Sequence, residues 1–193
     1  MENIFDLPII NQIFLLVWCI ILGFGIYKHI INVREREIEI KKNSFLAYFL
    51  VMYAISLFFI YYFYYSNLEY FLKEYVAYTG YFIQIVAILF ALWSLSSYGK
   101  YWSFNLAAFK NHKVVMTGPN AIVRHPFYLA NFLFLLGYSL SFRTFLSLSG
   151  AFIALGFLIY MIDIEEQFNI ENLGDEYREY MKKVKYKIIP YIY

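Results

Sequence analysis

The chain has 193 residues, of which 62% are hydrophobic, 23% aromatic and only 16% charged. That is too little charge to cover a soluble domain of this size and too much apolar side chain for one core, so lipid is the solvent that suits the excess. A net charge of +2 is too small to indicate a nucleic-acid partner, and none is expected; where the charges sit matters more than their sum.

Glu2 and Asp6 precede the first apolar run without any Lys or Arg, unlike the positive leading region of a cleavable signal peptide. The first span, Ile9 to Tyr27, is long enough to cross about 30 Å of hydrocarbon at 1.5 Å per residue. It contains the single cysteine, Cys19, which reads as a small packing residue; no disulfide or metal site follows from it. Phe45 to Tyr65 is the second span, and its closing aromatic cluster, Tyr61 to Tyr65, suits a membrane interface. The third runs from Val76 to about Tyr98, with Gln84 as its one strongly polar side chain. The fourth runs from Pro126 to Phe142 and the fifth from Thr144 to Ile162, a spacing that requires a tight helical hairpin around Arg143.

The expected fold class is therefore all-α: a polytopic membrane protein of about five transmembrane helices, followed by a cytoplasmic amphipathic helix. Residues 1–98 would form an N-terminal unit of three spans and residues 99–193 a catalytic, cofactor-binding region. Lys28, Arg34, Arg36, Lys41 and Lys42 follow span one; Lys100, Lys110, Lys113 and Arg124 follow span three; Arg178, Lys182, Lys183, Lys185 and Lys187 lie in the tail. Only Lys73 and Arg143 occupy the other two links, so fourteen of the sixteen basic residues share one side. The positive-inside rule makes that side cytoplasmic, with the N-terminus outside and the C-terminus inside.

The stretch from Tyr98 to Tyr128 departs from a plain anchor. It holds Trp102-Ser103, His112-Lys113-Val114-Val115, Thr117-Gly118-Pro119 and Arg124-His125-Pro126-Phe127-Tyr128. Gly-Pro reads as a turn, and Pro126 suits the first turn of span four, where its missing N–H costs nothing. Arg124 and His125 then lie at the cytoplasmic mouth of that helix, as headgroup anchors or as ligand contacts. Asp163, Glu165 and Glu166 fall at the same level at the end of span five, where the helix dipole opposes them. Either a structural ion pair with Arg124 or a bound cationic ligand would hold them. After an interruption at Asn172-Leu173-Gly174, a short helix from Asp175 to about Lys185 places Tyr177, Tyr180, Met181 and Val184 on one face. It should lie against the cytoplasmic mouth rather than cross the bilayer.

These pieces, with Glu165-Glu166 and Gly174-Asp175-Glu176-Tyr177 followed by Tyr180, resemble the isoprenylcysteine carboxyl methyltransferase family, which is itself similar to phospholipid N-methyltransferases. The resemblance covers roughly Tyr98 to Pro190. Two positions depart from it: Asn120 stands where the family usually has an aromatic residue, and Met161 where the prenylcysteine enzymes carry an arginine linked to substrate recognition. The cofactor half of the pattern is thus better kept than the acceptor half.

What the resemblance implies is S-adenosylmethionine bound at the cytoplasmic ends of spans four and five, with a lipophilic, isoprenoid or lipid-like acceptor entering from the bilayer. The implied cofactor contacts are Asn105, His112, Lys113, Val114, Val115, Gly118, Asn120, His125, Pro126, Phe127, Tyr128 and Glu165. Carboxylate and aromatic faces at Glu165 and Tyr128 would meet the donor's positive groups. Arg124 and Glu166 are the implied catalytic residues. Arg124 would orient a carboxylate acceptor, whereas an amine acceptor would need Glu166 or His125 as base. Two alternatives stand beside this reading. The tail Lys185-Tyr186-Lys187-Ile188-Ile189-Pro190 also resembles the end of NADPH-dependent membrane sterol reductases, and a non-enzymatic scaffold or transporter is the other. The sequence leaves the oligomeric state open.

Overall fold

The computed structural model describes residues 6–35, 38–42, 45–65, 72–109 and 112–192. Of the residues named above, Glu2, Arg36 and Lys110 lie outside these ranges, as do the side chains of Asp6, Lys41, Lys42, Phe45, Phe63, Tyr64 and Tyr65. Five helices carry the fold: α1 (Asp6–Glu35), α2 (Phe45–Tyr65), α3 (Glu74–Tyr98), α4 (Pro126–Ser141) and α5 (Leu148–Lys183). Three segments, Ile9–Arg34, Glu74–Tyr101 and Leu148–Lys183, are long and apolar enough to cross a membrane; Leu46–Tyr62 and α4 are shorter apolar helices. Side chains such as Leu16, Ile20, Leu50, Phe82, Leu89 and Phe152 stand exposed on the outside of the bundle, as a lipid-facing surface requires. Cys19 is exposed there too, so it belongs to the outer surface and not to the packed interior expected of it. The protein is an integral membrane, all-α protein.

Successive helices alternate in direction. The end of α1 meets the end of α3, where Lys28 Nζ donates to Leu95 O at 2.8 Å. The start of α2 lies at that same end, because Leu46 N–H donates to Asn105 Oδ1. At the opposite end Leu72 N–H donates to Arg143 O, and Arg143 Nε returns a bond to Leu72 O. Lys73 and Arg143, the two basic residues set apart by the charge count, therefore share one end of the bundle. The expected hairpin is present with a positive φ of 61° at Arg143, but α5 begins at Leu148, not Thr144. Ser147 closes the turn by donating its hydroxyl to the Ser139 and Thr144 carbonyls.

Between apolar helices in lipid, close packing and buried hydrogen bonds replace the hydrophobic force. Gly80 and Gly137 supply the first: a Cβ on Gly80 would lie 2.5 Å from Gly137 O, so α3 and α4 touch backbone to backbone. A polar chain supplies the second. Trp18 Nε1 donates to Tyr53 OH at 2.6 Å, Tyr53 OH donates to Asn131 Oδ1 at 2.5 Å, and Asn131 Nδ2 donates to Phe127 O at 2.6 Å. It joins α1, α2 and α4, and the Trp18 indole stacks on Phe134 with ring centroids 4.2 Å apart.

Two features were not in the sequence reading. The link after α1 forms strand β1 (Ile38–Lys42), which pairs antiparallel with β2 (Leu106–Phe109). The Ile38-Glu39-Ile40 alternation is its sequence signal, and the ribbon ties the two basic links together. The second concerns α5, whose 36 residues include a kink: residues 148–173 before it span about 39 Å, more than a hydrocarbon layer of about 30 Å needs. Its polar portion from Asp163 onward continues past the apolar run that ends at Ile162. The expected break occurs as a kink at Gly174, whose φ of 58° and ψ of −128° a side-chain-bearing residue would rarely adopt. Beyond the kink Tyr177, Tyr180 and Val184 are buried against Val114, Met116, Ile170 and Leu173. The terminal helix thus folds over the basic end of the bundle.

Candidate active site

A partly open cavity lies at that end, lined from α2, α3, α4, α5 and residues 101–107, 112, 114, 115 and 120. Pro126 occupies the first turn of α4, so the helix begins directly after the non-helical Arg124-His125 pair. That pair is held by the tail: Arg124 N–H donates to Tyr186 O at 2.9 Å and His125 N–H to Lys187 O at 2.8 Å. Because α4 starts here and α5 passes alongside, Tyr128 and Glu165 face each other across the cavity wall. Tyr128 OH donates to Glu165 Oε2 at 2.6 Å, and the His125 ring stacks on Tyr128 at 5.5 Å between centroids.

Glu165 lines the cavity, whereas Glu166, one residue on, is turned inward to Arg124 and His125. Arg124 Nε donates to Glu166 Oε1 at 2.6 Å, and the NH1 group of Arg124 donates to the Val184 and Lys185 carbonyls, each at 2.8 Å. His125 Nε2 lies 3.2 Å from Glu166 Oε1; a carboxylate can only accept, so this nitrogen carries the proton. Burial opposes the Glu166 charge, but the hydrogen bonds from His125 and Arg124 outweigh it and hold the carboxyl at about 2. Burial also pushes the Tyr177 and Tyr180 hydroxyls well above their usual range, leaving them as neutral donors. Tyr180 OH donates to Asn120 O at 2.7 Å.

Of the site residues expected from the sequence, Asn105, His112, Val114, Val115, Asn120, Arg124, His125, Phe127, Tyr128 and Glu165 are brought together on the cavity wall. Lys113, Gly118, Pro126 and Glu166 lie outside it. Gly118 packs against Ser97 and Trp93 of α3, and Pro126 serves the helix start. Met161, where the prenylcysteine pattern has arginine, is fully buried.

The reading missed several wall residues. Tyr98 closes the third span, Phe49 lies within the second, Tyr101 falls in the link after the third, and Tyr177 and Tyr180 belong to the apolar face of the terminal helix. Their common signal is aromatic type at the basic end of the bundle. Together with Trp102, Phe104, Phe127, Tyr128 and Phe168 they make the wall aromatic, and Glu165 is its one carboxylate among the described residues.

Comparison with known proteins fits this geometry. Residues 79–170 match the family model of the isoprenylcysteine carboxyl methyltransferase (ICMT) family. The match begins within α3 and ends on α5 just past Glu165 and Glu166, so the matched stretch holds most of the cavity wall, while α1, α2 and the terminal helix lie outside it. A comparison with curated proteins gave no match.

The residues present fit a methyl donor that is a zwitterion with a sulfonium. Glu165 and the aromatic faces suit its positive groups. Asn120 Nδ2 is buried on the cavity wall without a hydrogen-bond partner among the described residues, a donor ready for a carboxylate or a ring nitrogen.

Proposed function

We propose that the protein is an S-adenosylmethionine-dependent methyltransferase acting on a lipophilic acceptor at the cytoplasmic face of its membrane. One observation carries this reading: a single carboxylate, Glu165, set in an aromatic-walled cavity within the stretch that matches the ICMT family. When bound, S-adenosylmethionine supplies an already activated methyl group. The protein's part is then to hold, orient and exclude water. Glu165, oriented by Tyr128, faces the donor's cationic groups; Asn120 and Asn105 offer donors to its acceptors; His112, stacked on Tyr101 at 4.8 Å, adds a flat surface for a ring. The terminal helix, with Tyr177 and Tyr180, closes the cavity towards the cytosol.

In this reading Arg124 and Glu166 act by position. Three hydrogen bonds from Arg124, to Glu166 and two tail carbonyls, fasten the tail to α4 and set the direction of Glu165 and His125. His125 Nδ1, on the ring edge facing Glu165 at 3.9 Å, is the group that takes a proton when the acceptor is an amine; a carboxylate acceptor needs no base. The proposed sidedness rests on the charge count: cysteine reporters at Lys73 and Arg143 should be labelled from outside, and those at Lys41 and Lys183 from the cytosol.

Calorimetry on the purified protein tests the reading. S-adenosylhomocysteine should bind and NADPH should not; the reverse would replace the methyltransferase with a reductase. Transfer of labelled methyl to prenylcysteine analogues, phosphatidylethanolamine and isoprenoid acids then identifies the acceptor.

A further inference from the structure

We propose that His29 of α1 is a positioning residue that fixes the Asn105 side chain with an amide N–H offered to the cavity ligand. This rests on the methyltransferase reading for the ligand, but not for the geometry. His29 lies outside the ICMT-family match and is absent from the cavity wall, yet it is buried beside it, 7% exposed.

Gly25, His29 and Asn32 occur at i, i+4 and i+7, on one face of α1. All three hold the segment 102–105: Trp102 Nε1 donates to Gly25 O at 2.9 Å, and Asn32 Nδ2 donates to Trp102 O at 2.9 Å. Between them His29 Nδ1 lies 3.0 Å from Ser103 Oγ, and His29 Nε2 lies 3.2 Å from Asn105 Nδ2.

The proton positions follow by elimination. Ser103 Oγ donates its one hydrogen to Asn105 O at 2.7 Å, and it accepts from Asn105 N–H at 3.1 Å. It must therefore accept from His29, so Nδ1 carries the ring proton. The amide nitrogen of Asn105, 3.2 Å from Nε2, can only donate, so Nε2 is the bare nitrogen and accepts one N–H of the Asn105 carboxamide. At the other end of that carboxamide Oδ1 accepts from Leu46 N–H at 3.4 Å. A flipped carboxamide would set oxygen against the Nε2 lone pair and NH₂ against the Leu46 N–H, so both neighbours reject it. The second Asn105 N–H has no partner among the described residues, and Asn105 lines the cavity. The position therefore presents a donor and selects a ligand acceptor atom, a carboxylate oxygen or a ring nitrogen.

The experiment has two readouts. Nitrogen NMR of the ¹⁵N-histidine-labelled protein in nanodiscs, with His29→Gln to assign the signal, should show His29 neutral with its proton on Nδ1. A proton on Nε2 overturns the proposal whether or not any ligand binds. Calorimetry with S-adenosylhomocysteine should show His29→Phe weakening affinity about three- to tenfold, the loss of one oriented hydrogen bond. Asn105→Ala should give the same loss, the double variant no more than either, and His29→Gln, which keeps one donor and one acceptor, near wild-type affinity. Unchanged affinity in folded His29→Phe, or additive losses in the double variant, overturns the positioning role. If His29→Phe does not fold, Ser103→Ala replaces it with the same expectations. Failure of the wild type to bind sinks the methyltransferase reading instead and leaves the NMR result to decide His29.

Discussion

Glu165 and Glu166 are neighbours in sequence, yet they occupy opposite kinds of environment. Successive side chains on a helix point about 100° apart, so one faces the cavity and the other the packed junction of α4, α5 and the tail. The Glu165 side chain keeps 27% of its exposure and one hydrogen bond from Tyr128. The Glu166 side chain keeps 7% and is held by both Arg124 and His125. The difference teaches that a carboxylate with full protein partners builds the site, while one with a partner on one side only is available to a ligand.

The largest expected break in that contrast is Glu166→Gln, which leaves the buried Arg124 cation without its counter-charge. It should destabilise the folded protein by roughly 3–5 kcal/mol in chemical unfolding, against about 1 kcal/mol or less for Glu165→Gln. Equal losses would erase the distinction between the two.

Acid sharpens the same point. The Glu166 carboxyl titrates at about 2 when folded, against 4.5 in the reference state, so its folded value is depressed. Its contribution is complete above the reference value and is lost as pH falls from 4.5 through about 2. The unfolding midpoint of the wild type should drop across that window, and Glu166→Gln should flatten the drop. An equally steep fall in the variant would assign acid sensitivity elsewhere.

Binding reverses the order of the pair. Glu165→Gln removes a charge-assisted contact of about 1.5–3 kcal/mol and should weaken S-adenosylhomocysteine about 10- to 150-fold. Folded Glu166→Gln, with no direct contact, should stay within about twofold to threefold. A Glu165→Gln protein that binds normally would make Glu165 a partner of Tyr128 and nothing more.

The smallest effect belongs to Lys187, which bridges to Asp163 at 2.6 Å on the half-exposed rim and lies 3.7 Å from Glu166. Lys187→Ala should change stability by about 1 kcal/mol or less, because water and salt screen such pairs. A loss comparable to that of Glu166→Gln would extend the buried junction outward to the rim.

The sequence by itself determined the solvent, the helix count and which polar residues gather at one end of the bundle. Apolar runs of membrane length, Pro126 at a helix start, Gly174 at a kink and the grouping of Arg124, His125, Glu165 and Glu166 are all local properties, written in spacing and residue type. Only the tertiary structure decided which of two adjacent glutamates faces the cavity, since helical phase relative to a neighbour is fixed by packing across α4 and α5. It also decided that His29, in the link just after the first span, and Phe49, within the second, stand at or beside the site. The pairing of β1 with β2 across more than sixty residues has the same origin. Such contacts depend on which faces of distant helices meet, and hydropathy, which reports only preference for lipid, carries no record of the partner.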